Sequence, residues 1–137
     1  MKLLVIHGPN VNLIGLWSSK NNLNITLDKV NRHIRKYVRD KDLQIKIIQS
    51  HNETKVVSYI QNNRKNIDII VIVPGPWQYS AYILSELLDL TEIPFITINY
   101  KVREHIKLLN GFENLIDDNL YKGFEAAIDI IINKYKL

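Results

Sequence analysis

The chain has 137 residues, 46% of them apolar and 23% charged, which suits one soluble globular domain spanning 1–137 with a single ordinary core. Its net charge of +4 is spread through "NRHIRKYVRDK", "NNRKN" and "INKYK", a pattern read as solvated helix faces and not as a nucleic-acid surface. The absence of cysteine excludes disulfides and thiolate metal sites; no apolar run could span a bilayer, and the opening reads as a strand and not a signal peptide, so a cytoplasmic protein with no membrane attachment is expected.

The predicted elements alternate. "KLLVI" is an apolar, β-branched run suited to a strand covered on both faces. "TLDKVNRHIRKYVRD" has apolar residues at Leu27, Val30, Ile34, Tyr37 and Val38, a helical spacing with Thr26 as N-cap. "LQIKIIQS" is a second strand, and "ETKVVSYIQNNRK" a helix with Val56, Val57 and Ile60 inward. "IDIIVIVPG" is apolar almost throughout and is placed at the sheet centre. "SAYILSELLDL" is a helix, "PFITIN" a fourth strand opened by Pro94, and "YKVREHIKLLNGF" at most one short helical turn. "ENLI" is a brief fifth strand and "LYKGFEAAIDIIINKYK" the closing helix.

Strand–helix alternation with short connections implies a parallel sheet with right-handed crossovers and helices on both faces. At this size the expected architecture is the α/β flavodoxin-like fold, five strands in the order 2-1-3-4-5. Ligands of such sheets bind beyond the carboxyl ends of the strands. That rim collects "HGPNVN", "QSHNE", "PGPWQYS" and "NYKVR".

Each rim residue has a functional and a plain reading. His7 and His51 suit acid–base work or phosphate contact, against an ordinary hydrogen-bonded loop histidine. Asn10 and Asn12 could orient a ligand or stabilise an oxyanion, against local satisfaction of loop backbone. Trp17, Trp77 and Tyr79 could line a pocket or make oligomer contacts. Lys101, Arg103 and Lys107 form a basic cluster able to hold a carboxylate or phosphate. No G-x-G-x-x-G, G-x-x-x-x-G-K-[ST] or G-x-S-x-G motif occurs, and the His and carboxylate spacings give no metal set.

"LLVIHGPNVNLIG" closely resembles the N-terminal signature of the type II 3-dehydroquinate dehydratases, N-G-P-N-L-N-x-L-G. The resemblance runs collinearly through "TLDKV", "QSHNE", "IVIVPGPWQYSAYIL", "IPFITIN" and "KGFEAAIDII", nearly the whole chain. It implies the flavodoxin-like fold, trimers assembled into dodecamers, no cofactor, and trans-elimination of water from 3-dehydroquinate through an enolate.

The resemblance also implies which groups should do that work, and most are replaced. The resemblance puts a flexible loop after the signature, here "LWSSKNNLN", in which Trp17 stands where the family has an Arg, and Asn22 or a neighbour where it has the Tyr base that the Arg activates. No tyrosine lies between Met1 and Arg35, so a shifted alignment does not restore the base. Asn99 and Thr97 occupy the places of the His acid and its Glu partner. Val73 replaces a substrate-binding Asn, and Tyr79 a His. Asn10 matches the Asn that orients the water and stabilises the enolate. Arg103 matches a family Arg if about three residues are dropped before it, and Lys107 could replace a second. Tyr100 and Lys101 lie where the family offers two backbone N–H groups to the substrate carboxylate, and Glu86 where an acidic residue reaches a neighbouring subunit's site.

The expectation is therefore a dehydroquinase-like homo-oligomer, trimer or dodecamer, that has lost most or all dehydratase activity. It keeps a pocket for a small carboxylate ligand, aromatic-bearing in one form of the reading. The alternatives are an active lyase using His7 or His51, and an unrelated flavodoxin-like binding module.

Overall fold

The computed structural model describes residues 1–101 and 108–137. Five strands, β1 (Lys2–His7), β2 (Gln44–Gln49), β3 (Ile69–Val73), β4 (Phe95–Asn99) and β5 (Glu113–Ile116), form one parallel sheet in the order β2-β1-β3-β4-β5. The helices are α1 (Ile14–Lys20), α2 (Leu27–Tyr37), α3 (Glu53–Asn63), α4 (Tyr82–Thr91) and α5 (Leu120–Tyr135). The flavodoxin-like topology is as expected, and β3 is central with all five of its residues buried.

The apolar runs explain the layers. Successive strand residues point to opposite faces, so Leu3 and Val5 join Ile69, Val71, Ile96 and Ile98 against α1, α2 and α5. Leu4, Ile6, Ile70 and Ile72 join α3 and α4 on the other face. A strand covered on both sides needs apolar residues at every position, which "IIVIV" supplies. Each fully buried isoleucine contributes about 1.5–3 kcal/mol relative to exposure.

Helix starts follow from capping. Thr26 accepts from the Lys29 N–H at 3.3 Å, Asn52 from Lys55 at 3.2 Å and Asn119 from Lys122 at 3.3 Å, each satisfying a first-turn donor. The Glu53 carboxylate accepts from the Leu84 N–H at 3.0 Å and ties α3 to α4.

One segment is corrected. The resemblance implies a loop over "LWSSKNNLN", but α1 runs through its first part. Ser18 is fully buried and clamps the following turn: its Oγ donates to the Ile25 carbonyl at 2.7 Å and accepts from the Ile25 N–H at 2.8 Å. The turn itself uses Asn22 and Asn24 at φ 60° and 50°, a backbone region asparagine tolerates better than most residues. The expected short turn in "YKVREHIKLLNGF" falls partly outside the described residues, at 102–107, which include Arg103 and Lys107.

Candidate functional site

Sheet order fixes where a site can form. Between β1 and β3 the strand order reverses, opening a crevice at their carboxyl ends. The two loops there are joined at Gly8, whose N–H donates to the Val73 carbonyl at 2.8 Å. A Cβ on Gly8 would lie 2.7 Å from the Pro74 carbonyl oxygen, so only glycine permits the approach.

A cavity of about 550 Å³ lies beside this junction. Asn10 enters from the loop after β1, held at φ 69°. Leu13, Ile14, Leu16, Trp17 and Lys20 come from α1 and the 3₁₀ turn before it. Gly75, Pro76, Gln78 and Tyr79 come from the 3₁₀ turn after β3, where Gly75 takes φ 54°. Asn99, Tyr100 and Lys101 close it from the end of β4.

The floor is a chain of buried amides. Gln78 Nε2 donates to Asn99 Oδ1 at 3.0 Å and to the Leu109 carbonyl at 3.1 Å, while Gln78 Oε1 accepts from the Leu109 N–H at 2.8 Å. Asn99 Nδ2 donates to Thr97 Oγ1 at 2.9 Å and to the Leu115 carbonyl at 3.0 Å. Thr97 Oγ1 in turn donates to Asn114 Oδ1 at 2.8 Å. Every N–H of both floor amides is thereby used within the protein, as buried polar groups require.

The walls are aromatic and basic. The rings of Trp17 and Tyr100 meet at 5.7 Å, tilted by 51°. Burial raises the Tyr100 phenol above its ordinary value of 10, because the phenolate would lose hydration. Lys20 and Lys101 are exposed at the rim. The described lining contains no carboxylate and no imidazole.

The structure brings Asn10, Trp17, Tyr79, Asn99, Tyr100 and Lys101 around one cavity. It places others elsewhere. His7 is the last residue of β1, shares the face of Leu3 and Val5, and is fully buried against Phe124, ring centroids 5.5 Å apart. Its assignment to the rim is corrected: the side chain points into the core. His51 is exposed after β2, which lies beyond β1 from the crevice, so the two histidines do not form a pair across the cavity. Trp77 is 4% exposed and packs among the α3–α4 core residues, so it is not a wall of the cavity.

Asn12 is exposed and accepts from Gln49 Nε2 at 3.4 Å, outside the lining. Glu86 is exposed on α4, away from the cavity of its own chain. The Lys101 N–H, expected to face a ligand carboxylate, instead donates to Asp118 Oδ1 at 2.7 Å. A backbone amide has one hydrogen, so that donor is already engaged. Arg103 and Lys107 lie outside the described residues.

Sequence reasoning missed Gln78 and the contribution of α1. The amphipathic spacing of Ile14, Trp17 and Ser18 could have revealed the helix. Gln78 carries no such signal, because its role depends on β4 and Leu109 lying alongside.

A protein-family model described as "Dehydroquinase class II" matches residues 1–132. A 3-dehydroquinate dehydratase of Clostridium botulinum (strain Loch Maree / Type A3) is 30% identical over 142 residues, covering 98% of this chain and 97% of that protein. One of Buchnera aphidicola is 28% identical, covering 98% and 94%. Among solved structures, the type II dehydroquinase from Butyrivibrio crossotus DSM 2876 superposes with a TM-score of 0.82 at 27% identity, covering 96% of this chain and 97% of the other.

Proposed function

The chain belongs to the class II dehydroquinase family, and on that footing we propose that it is a family member that binds a small carboxylate in its strand-end cavity without dehydrating it. Family membership bears out the expected resemblance and sets aside the alternative of an unrelated flavodoxin-like module. The observation that carries the proposal is the described lining: two cations and several rings, but no carboxylate or imidazole to move a proton.

Eliminating water from a hydroxy-ketone needs a base for the proton beside the ketone and an acid for the departing hydroxide. Each such group contributes about a hundredfold to ten-thousandfold. Tyr100 does not serve as the base, since burial raises its phenol further above neutral pH and keeps it protonated. Asn99 and Thr97 are locked together, and an amide does not deliver a proton on demand. Lys20 and Lys101 supply positive charge for an anion, and the amide of Asn10 faces the same space.

The second reading is the activity for which the relatives are named, dehydration of 3-dehydroquinate. The version that relies on His7 or His51 is disfavoured, because one is sealed in the core and the other lies outside the cavity. Purified protein mixed with 3-dehydroquinate decides the matter. No conjugated enone should accumulate. Turnover within about a hundredfold of ordinary enzyme rates overturns the binding role.

The same reading takes 1–137 as one family domain acting in the cytoplasm as a homo-oligomer, trimer or dodecamer. Glu86 on the exposed face of α4 would then reach a neighbouring copy. No described helix is long and apolar enough to cross a membrane. A monomer in solution scattering removes the oligomer from this account.

A further inference from the structure

We propose that the Gln78–Asn99 pair sets the ligand class of the cavity, favouring a flat apolar or aromatic ring that bears a carboxylate over a polyhydroxylated ring acid. The inference rests on the reading of this cavity as a carboxylate site and specifies the body of the ligand.

A ring acid with several hydroxyls needs several partners, since each hydroxyl removed from water without one loses more than it gains. The floor offers few. Gln78 and Asn99 are each 3% exposed, and all of their side-chain N–H groups are bound to one another, to Thr97 or to backbone carbonyls. What the side chains of the described lining leave for a ligand is the Asn10 amide, the Trp17 indole N–H, two phenols and two ammonium groups. That is enough to hold one anionic group at the rim.

The rest of the described surface suits an apolar ring. The tilted Trp17–Tyr100 pair forms a wall against which a flat ring can stack or stand edge-on. Around the mouth, Leu13, Leu16 and Tyr79 are 52%, 65% and 57% exposed, apolar area that a ring would remove from water. A saturated ring with hydroxyls on both faces would press polar groups against this surface and recover little of their hydration.

The test is calorimetric titration of the full-length protein, at one fixed salt concentration, with benzoate, quinate (a polyhydroxylated cyclohexane carboxylate) and uncharged benzamide. Benzoate is expected to bind at least tenfold more tightly than quinate and more tightly than benzamide. Quinate binding as tightly as benzoate overturns the proposal while leaving the carboxylate site standing. Benzamide matching benzoate removes the carboxylate from the ligand class, and the proposal with it. If none of the three binds, both the site and the ring preference fall.

Gln78→Thr removes one half of the floor and should narrow the benzoate-to-quinate ratio severalfold by improving quinate. An unchanged ratio in folded Gln78→Thr overturns the assignment to the amide pair. Should that variant not fold, Asn99→Ser is read the same way, and the wild-type ratio stands as a test by itself.

Discussion

His7 Nε2 lies 2.8 Å from Asn31 Oδ1, so a buried strand histidine is hydrogen-bonded to a half-buried helix amide at the edge of the core. With the amide oxygen facing the ring, Nε2 carries the proton and Nδ1 is left without a partner among the described residues. Burial pushes this imidazole from its ordinary 6.5 down to about 4, and the bond to Asn31 pulls only partly the other way.

The consequence for stability has a definite sign. Below pH 6.5 the unfolded chain takes up a proton that the folded chain refuses until about pH 4. The neutral ring is therefore accommodated fully above pH 6.5, and stability falls as pH drops through that window, by about 3 kcal/mol from this one group. Urea unfolding at a series of pH values should show this loss in the wild type and lack it in His7→Asn. Equal pH slopes in the two proteins would refute the buried, reluctant imidazole.

Thr97 both accepts from Asn99 and donates to Asn114. Thr97→Val keeps the volume but leaves an Asn99 N–H without its acceptor in a buried site. The expected cost is about 1–3 kcal/mol, measured by chemical denaturation, with Thr97→Ser recovering most of it. A Val variant as stable as wild type would mean that the amide chain is not coupled through this hydroxyl.

At Gly8 the added methyl of Gly8→Ala would lie 2.7–2.8 Å from two carbonyl oxygens, those of Pro74 and Val73. Both are backbone atoms, so relief requires the β1 and β3 loops to separate. A loss of about 1–3 kcal/mol is expected, accompanied by weaker ligand binding because Asn10 and Gly75 border the displaced junction. Differential scanning calorimetry with a benzoate titration checks both effects.

Lys20 and Lys101 hold the positive charge of the described lining at an exposed rim. Removing either, as Lys20→Gln or Lys101→Gln, should weaken benzoate binding by a few-fold at low salt, with the difference shrinking near 1 M salt, where the screening length is about 3 Å. A salt-independent effect would point to packing instead of charge. His51→Ala, by contrast, should leave benzoate affinity unchanged, because His51 stands outside the cavity.

The parallel sheet was legible because its strands must be apolar at nearly every position, and "KLLVI" and "IDIIVIVPG" are. The cap at Thr26 was legible for a local reason, since its hydroxyl meets an N–H three residues on. The site was less so. His7 follows the alternation of Leu3 and Val5, and counting by two along the strand would have put it in the core; its polar character and the glycine after it suggested a loop.

Trp77, Gln78 and Tyr79 show the limit more sharply. They are adjacent in a 3₁₀ turn, where successive side chains point about 120° apart. One enters the core, one the cavity floor and one the solvent. The order of residues says that three directions are taken, but not which is which.

By itself, then, the amino-acid order determined the alternation of strand and helix and the family motifs, because these depend on residue identity and near-neighbour periodicity. Only the tertiary structure decided that His7 is sealed, that Lys101 gives its amide to Asp118, and that Gln78 locks onto Asn99. Those outcomes depend on burial and on hydrogen bonds between residues distant in the chain, which no local pattern encodes.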